Sequence, residues 1–325
     1  MASIPPLSVV MPVHNAIPYL DEAITSILSQ SFGDFEFVVL DDGSTDGSLD
    51  RLRYWAERDR RIRLIRGRTR SGPVESSNRV VRESRAALVA RMDADDLAHP
   101  DRLKLQIEAF AEHPDAVAVA SLADTIDDRG RLVRGPDFAR LLRRSPFAPF
   151  AHSSLTVRRS VFDEAGGYRI EASLWEDVDL YPRLAGLGRI LVLARPLVSV
   201  RQSEVSTRLT ARPEELERAM DRVYRTGLGG PPLREGGRHP EAYLPGAMIR
   251  VWNGRRPRIL GRLWRHGSLG FDQASVKMLV WAVWAEASPR SLRLALRMRL
   301  AVLNRRARRR IAGRSIIEWT PLPVG

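Results

Sequence analysis

Two acidic clusters stand where short apolar runs end. ALVARM (87–92) leads into Asp93-Ala94-Asp95-Asp96, and FEFVVL (35–40) leads into Asp41-Asp42-Gly43-Ser44-Thr45-Asp46. Two carboxylates on one turn, here Asp93 and Asp95, can hold a hard cation such as Mg²⁺ or Mn²⁺ through oxygen. Such a cation clamps a diphosphate and stabilises it as a leaving group. A plainer reading stands beside this one: Asp96, ahead of a helix at Pro100, suits a helix cap. A carboxylate at Asp41 or Asp42 can accept a hydrogen bond from a uracil N–H or a ribose hydroxyl. Ser44 or Asp46 equally suits an N-cap, and both roles are compatible because a tight turn is what presents the Asp. Glu176-Asp177 offers a carboxylate able to take a proton from a hydroxyl, or favourable charge at a helix N-terminus. His152 can line an acceptor site, approach a metal, or serve as a hydrogen-bonded structural residue. Trp175 can stack on the apolar face of a sugar or pack in a core.

The elements around these residues alternate. Leu7–Val13, Phe35–Leu40, Ile62–Ile65, Ala87–Met92 and Ala116–Ser121 read as strands. Helical spacing joins Leu20, Ile24, Ile27 and Leu28, then Val74–Ser84, then Leu103, Ile107 and Phe110 after Pro100. Short links between them predict right-handed βαβ units, an α/β fold and a mostly parallel central sheet. Ligands in such sheets bind beyond the carboxyl ends of the strands, where both acidic clusters fall. After the first strand comes Val13-His14-Asn15-Ala16, with no glycine, so the dinucleotide fingerprint is absent.

The chain has 325 residues, a 44% hydrophobic content and no cysteine, which excludes disulfides, zinc–thiolate sites and thiol nucleophiles. No basic, apolar leader opens the sequence, and the most apolar later run, Met278–Ala285, is far short of the roughly 20 residues that span a bilayer. A cytoplasmic protein is expected, with peripheral contact on the inner face of the membrane as an added reading. The net charge of +13 is concentrated late: between 250 and 314, sixteen arginines and Lys277 meet only Asp272 and Glu286. Gly and Pro at 227–240 read as a linker. The predicted organisation is one main domain over 1–226, with the strand-end acidic clusters in 1–121 and a second part over 122–226, then a helical, basic region over 241–325. In that region Leu292, Leu296, Leu300, Leu303 and Ala307 form an apolar stripe flanked by arginines. The stripe fits an anionic membrane surface or the main domain equally well. No nucleic-acid partner is expected, since no known binding module is present.

Residues 7–46, RMDADDLAHPDRLKLQ (91–106), GGY (166–168) and WEDVDLYPRLAGLG (175–188) together resemble family 2 glycosyltransferases, in order and spacing, over about residues 5–210. The resemblance implies a GT-A fold, a nucleotide-binding α/β sandwich, and inverting transfer of a sugar from a nucleotide diphosphate sugar, of UDP or dTDP type, to a hydroxyl of a glycan or lipid-linked acceptor. It implies that Pro12, Val13, Asn15, Asp41 and Asp42 hold base and ribose. Asp93, Ala94 and Asp95 would meet ribose, diphosphate and a Mn²⁺ or Mg²⁺ ion, with Asp93 and Asp95 as metal ligands. Asp177 would be the general base, with Glu176 beside it. Gly72 and Asn78 match a donor-binding stretch whose basic residue is displaced here. Val200-Arg201-Gln202-Ser203 lacks the His that often follows in the family, and no Gln-x-x-Arg-Trp is present, which argues against a processive synthase. A sugar-phosphate nucleotidyltransferase and a non-catalytic glycan- or membrane-binding protein are the competing readings.

Overall fold

The computed structural model describes residues 4–67, 69–135, 148, 150–202 and 316–319. Ten strands form one sheet: β1 (Leu7–Val13), β2 (Phe35–Asp41), β3 (Ile62–Arg66), β4 (Leu88–Arg91), β5 (Leu97–Ala98), β6 (Ala116–Ile126), β7 (Leu132–Arg134), β8 (Thr156–Arg158), β9 (Arg189–Arg201) and β10 (Ile316–Trp319). Six helices accompany them: α1 (Leu20–Leu28), α2 (Ser48–Ala56), α3 (Pro73–Glu83), α4 (Arg102–Glu112), α5 (Arg159–Glu164) and α6 (Glu176–Leu187). The spatial order is β10-β9-β6-β8-β4-β1-β2-β3, with β5 on β9 and β7 on β6.

From β4 to β3 every pairing is parallel, as the sequence pattern requires. The other side is mixed. The short β8 enters between β4 and β6 and runs antiparallel to both, while β6 and β9 pair parallel and β10 closes the edge antiparallel to β9. The αβ alternation that forces parallel crossovers ends at β6, so nothing obliges the later strands to keep one direction.

The inner strands read as unbroken apolar runs because both faces are covered. Val9, Met11, Phe37 and Val39 turn towards Leu20, Ile24 and Ile27 of α1. Val10, Val38 and Leu40 turn to the other face, with Val80 and Val81 of α3 and Leu180 and Leu184 of α6. This alternation of side chains across each strand is the period of two expected of a sheet. Opposite Leu40 and Asp41 of β2 lie Pro12 and Val13 of β1, and Val10 lies opposite Arg91 of β4. The acidic clusters therefore leave the sheet at one edge.

One boundary is corrected. Residues 316–319, expected to belong to a separate helical region, form β10 of the main sheet. Trp319 of that strand is buried against Phe150 and Tyr181, with ring centroids 5.8 and 6.5 Å apart. The edge of β9 leaves a row of backbone groups that a β-rich segment such as Ile316-Ile317 can pair. The linker, the expected tail helices and the basic stripe lie outside the described residues. No helix among the described residues is long and apolar enough to cross a membrane.

Candidate active site

The β1–α1 and β2–α2 loops are laced together. The amide of Asn15 donates to Ser44 Oγ (3.1 Å), and Asn15 Oδ1 accepts from the Thr45 amide (2.8 Å). Asn15 holds a left-handed φ of 51°, which Asn tolerates better than most side chains. The amide of Ala16 donates to Ser48 Oγ (2.9 Å), and that of Ile17 to Asp46 (3.1 Å). Gly67 lies so close beneath this turn that a Cβ would stand 2.7 Å from the Asp41 carbonyl oxygen. Both carboxylate oxygens of Asp42 are occupied. One accepts from the Ser71 amide (2.7 Å) and hydroxyl (2.6 Å), the other from the Gly72 amide (2.8 Å). Gly72 has a φ of +89° and leads into Pro73, the first residue of α3, a position where proline's missing N–H costs nothing. Asp42 therefore reads as the brace of this loop, a role that competes with the direct donor contact expected of it. The side-chain amide of Asn78 likewise bonds the backbone of Tyr168 both ways, at 2.8 and 2.9 Å.

After β4 the chain turns through Asp93, Ala94, Asp95 and Asp96. Ala94, expected to meet the donor, is buried as part of the core cluster that includes α1. Arg91 pairs with Asp93 at 2.5 Å, and Ser153 Oγ donates to Asp93 at 2.7 Å. Ser153 also contacts Asp96, whose other oxygen accepts from the Arg201 amide at 2.8 Å. A serine hydroxyl has one proton, so it cannot donate to both carboxylates at once. Charge crowding resolves this. Burial would push Asp93 up, but Arg91, His152 and Ser153 hold it at about 2. Burial and the Asp93 charge push Asp95 up to about 6, and burial with both neighbouring carboxylates pushes Asp96 well above the ordinary range. A proton on Asp96 allows Asp96 to donate to Ser153 and Ser153 to Asp93.

A second acidic pair converges on the same ground from far along the chain. Asp177, 8% exposed, and Glu176 open α6, where negative charge is favoured by the helix dipole. The field of Asp93, Tyr168 and Glu176 favours the charged form of buried Arg91 against the cost of its burial. Burial raises Tyr168, Arg91 opposes that, and Glu176, Asp177 and Asp93 reinforce it, so its hydroxyl keeps its proton. His152 Nε2 lies 2.6 Å from this hydroxyl. Asp93 thus contacts Arg91 and His152 contacts Tyr168, with the charges of Glu176 and Asp177 acting on the Tyr168 hydroxyl. A small gap beneath, lined by Pro12, Ser77, Arg91 and Tyr168, continues to the end of β1. Trp175 is only 5% exposed, which favours its core role over sugar stacking.

Sequence reasoning missed four contributors. Arg91 was visible as a cation inside an apolar strand ahead of two acids. Tyr168 closes the GGY motif, and Ser153 follows His152. Arg201 carried no signal beyond its place near the end of a long apolar run.

Asp93 and Asp95 offer oxygen donors only, which suits a hard cation completing its shell with water and phosphate oxygens. Among the described residues no group of three or more His, Cys, Asp or Glu forms a protein cage for a metal. The two carboxylates are compatible with an ion that takes its remaining oxygens from water or a ligand.

Residues 8–170 match the model of glycosyl transferase family 2. The chain belongs to this family. The α/β sheet is accordingly that of a glycosyltransferase, and the nucleotidyltransferase reading falls. EpsE of Bacillus subtilis, described as a glycosyltransferase, is 35% identical over 193 residues, 56% of this chain and 68% of EpsE. TuaG of the same organism, named for teichuronic acid biosynthesis, is 33% identical over 33% of this chain and 43% of TuaG. Among solved structures, S. aureus TarS in complex with UDP-GlcNAc superposes with a TM-score of 0.60 at 19% identity, over 86% of this chain and 88% of that one. The mannosyltransferase PcManGT from Pyrobaculum calidifontis, in complex with GDP-Man and Mn²⁺, gives 0.56 at 21% identity, over 87% and 85%. At these identities the likeness is one of fold: these neighbours support GT-A architecture for this glycosyltransferase.

Proposed function

We propose that this glycosyltransferase moves a sugar, with inversion, from a UDP- or dTDP-type donor to a hydroxyl of a glycan or lipid-linked acceptor in cell-surface polysaccharide synthesis. The observation that carries the reading is that Asp93 pairs with Arg91 at 2.5 Å, while the charges of Glu176 and Asp177 act on the Tyr168 hydroxyl, which lines the same gap as Arg91. Carboxylates more than 80 positions apart in the chain are brought to one region, where Arg91 offsets part of their mutual repulsion. Polysaccharide synthesis is carried over from the name of TuaG, and nucleotide-sugar use from the complexes of TarS and PcManGT.

Asp177 takes the proton of the acceptor hydroxyl as its oxygen attacks the anomeric carbon. The bond from that carbon to the diphosphate breaks, and its electron pair leaves with the nucleoside diphosphate. Attack from the face opposite the leaving group inverts the centre, so one base suffices. Asp93 and Asp95 would hold Mn²⁺ or Mg²⁺, which supplies charge neutralisation for the departing diphosphate. Arg91 fixes Asp93, and Asn15 with the Asp41–Ser44 turn borders the nucleoside end.

The test is nucleoside diphosphate release from UDP-, dTDP- and GDP-sugars with Mn²⁺, with Mg²⁺ and with EDTA. Turnover of one donor, dependent on a divalent ion and lost in Asp93→Ala, is expected. Full turnover in EDTA or in Asp93→Ala overturns the assignment of these carboxylates.

A further inference from the structure

The side chain of Arg201, at the end of β9, is 1% exposed, and its ion pair runs to Glu22 of α1. Its bonds run to three segments far apart in the chain. Nε donates to the Asp95 carbonyl (2.9 Å), and its own amide donates to the Asp96 carboxylate (2.8 Å). Nη1 donates to the carbonyls of Asp127 and Asp128 (2.9 and 3.1 Å) in the β6–β7 turn. Nη2 donates to Glu22 of α1 (2.6 Å), and the guanidinium lies over the Tyr19 ring, 4.4 Å from its centroid. Tyr19 closes the circuit by donating to Asp128 at 2.9 Å.

We propose that Arg201 is a positioning residue that pre-forms the Asp93–Asp96 turn for donor binding by fastening it to α1 and to the β6–β7 turn. The inference rests on the role given above to Asp93 and Asp95. Its basis is where the bonds go: Arg201 grips the turn through the Asp95 carbonyl and through Asp96. A planar fork with five donors can reach three segments at once, whereas a lysine ammonium cannot. Without the Arg201 side chain the part-buried Asp95 and Asp127 carbonyls lose their donor, which loosens the hold of the turn on α1 and on the β6–β7 turn. A turn that samples open forms binds ligand more weakly, in proportion to the fraction of time it is competent.

The first measurement needs no ligand. Amide hydrogen exchange across 93–98 is compared in the wild type, Arg201→Lys, Arg201→Gln and Glu22→Gln, with 35–41 as the internal reference. Exchange at 93–98 is expected to rise at least tenfold in both Arg201 variants, less in Glu22→Gln, while 35–41 stays unchanged. The second measurement is calorimetric binding of UDP, dTDP and GDP with Mn²⁺, alongside kcat and both KM values. For the nucleotide that binds, Kd and donor KM are expected to rise about tenfold in both Arg201 variants, with acceptor KM unchanged. Wild-type exchange at 93–98 in folded Arg201→Gln overturns the proposal, and so does full function in Arg201→Lys. Should the Arg201 variants fail to fold, Glu22→Gln decides alone, and wild-type exchange there overturns it. Asp93→Ala runs in parallel: if it keeps wild-type Mn²⁺-dependent binding, the donor-site reading fails, not the Arg201 inference alone.

Discussion

The two halves of the sheet differ in construction and in contribution. From β4 to β3 the strands are parallel, and Asp41, Asp42, Asp93 and Asp95 emerge from neighbouring strand ends. From β8 to β10 the strands change direction, and the groups they contribute come from scattered places: Ser153 before β8, Asp177 on the helix before β9, Arg201 at its end. On the proposed function, Asp93 and Asp95 of the parallel half meet the donor, while the mixed half brings the proposed base, Asp177, together with Ser153 and Arg201, which join Arg91 in fixing the Asp93–Asp96 turn. The two halves of one continuous sheet would then divide donor binding from proton transfer.

Asp177→Asn is the largest way to break that division. If Asp177 is the base and contributes little to donor binding, turnover falls about 10²–10⁴-fold, the usual worth of a positioned proton acceptor. Calorimetric donor affinity should stay within about twofold, because Asn keeps the shape and the helix start. A parallel loss of donor affinity would mean that the mixed half also holds the donor, and the two halves would not be separable.

The two halves were also unequally legible. β1, β2 and β4 are buried on both faces, so they read as continuous apolar runs with acids at their ends, and chemistry coincided with local pattern. β9 did not read as a strand because Arg195 and Pro196 interrupt it. Proline fits there because Pro196 lies opposite Leu122, where the β6–β9 register shifts and a ladder bond is dispensable. β6 was cut short at Ser121 because Asp124 and Thr125 break its apolar run, although the strand continues to Ile126. Asp42 and Asn78 carried the right residue types for ligand contact. Their engagement by Ser71, Gly72 and the Tyr168 backbone is a tertiary fact that no spacing reveals. Arg201 was illegible for the same reason, since its partners at 22, 95 and 127 are adjacent only once the sheet has formed.

Trp319→Ala tests whether β10 belongs to the catalytic unit. Trp319 is 7% exposed and packs edge-on against Phe150 and Tyr181, the latter on the helix that carries Asp177. Truncating a buried Trp costs about 3 kcal/mol or more. For a domain of this size that lowers the melting temperature by about 6–12 °C. Trp319→Phe should lose distinctly less. An unchanged melting temperature in Trp319→Ala would detach β10 from the sheet's energetics and return that segment to a separate region.

The smallest effect separates the two ends of the parallel half. Glu36 is 3% exposed at the end of β2 away from the site. It accepts from Ser8 Oγ (2.5 Å), the Arg85 amide (2.6 Å) and Arg85 Nε (2.8 Å), tying β1 and β2 to the segment that enters β4. Burial alone would push its pKa up; the bonds from Ser8 and Arg85 outweigh burial and hold it below the usual range of a glutamate. A carboxylate depressed on folding adds stability above its unfolded pKa, and that share is lost as pH falls through the folded value. Glu36→Gln should therefore cost about 1–2 kcal/mol at pH 7, the scale of hydrogen bonds to a charged group. The gap between wild type and variant in urea unfolding should narrow as pH drops below about 4.3. Donor and acceptor KM should not move, because the same strands carry stability at one end and chemistry at the other. A pH-independent gap would show that Glu36 acts by shape and not by charge, and a changed donor KM would show that the two ends are coupled through the strands.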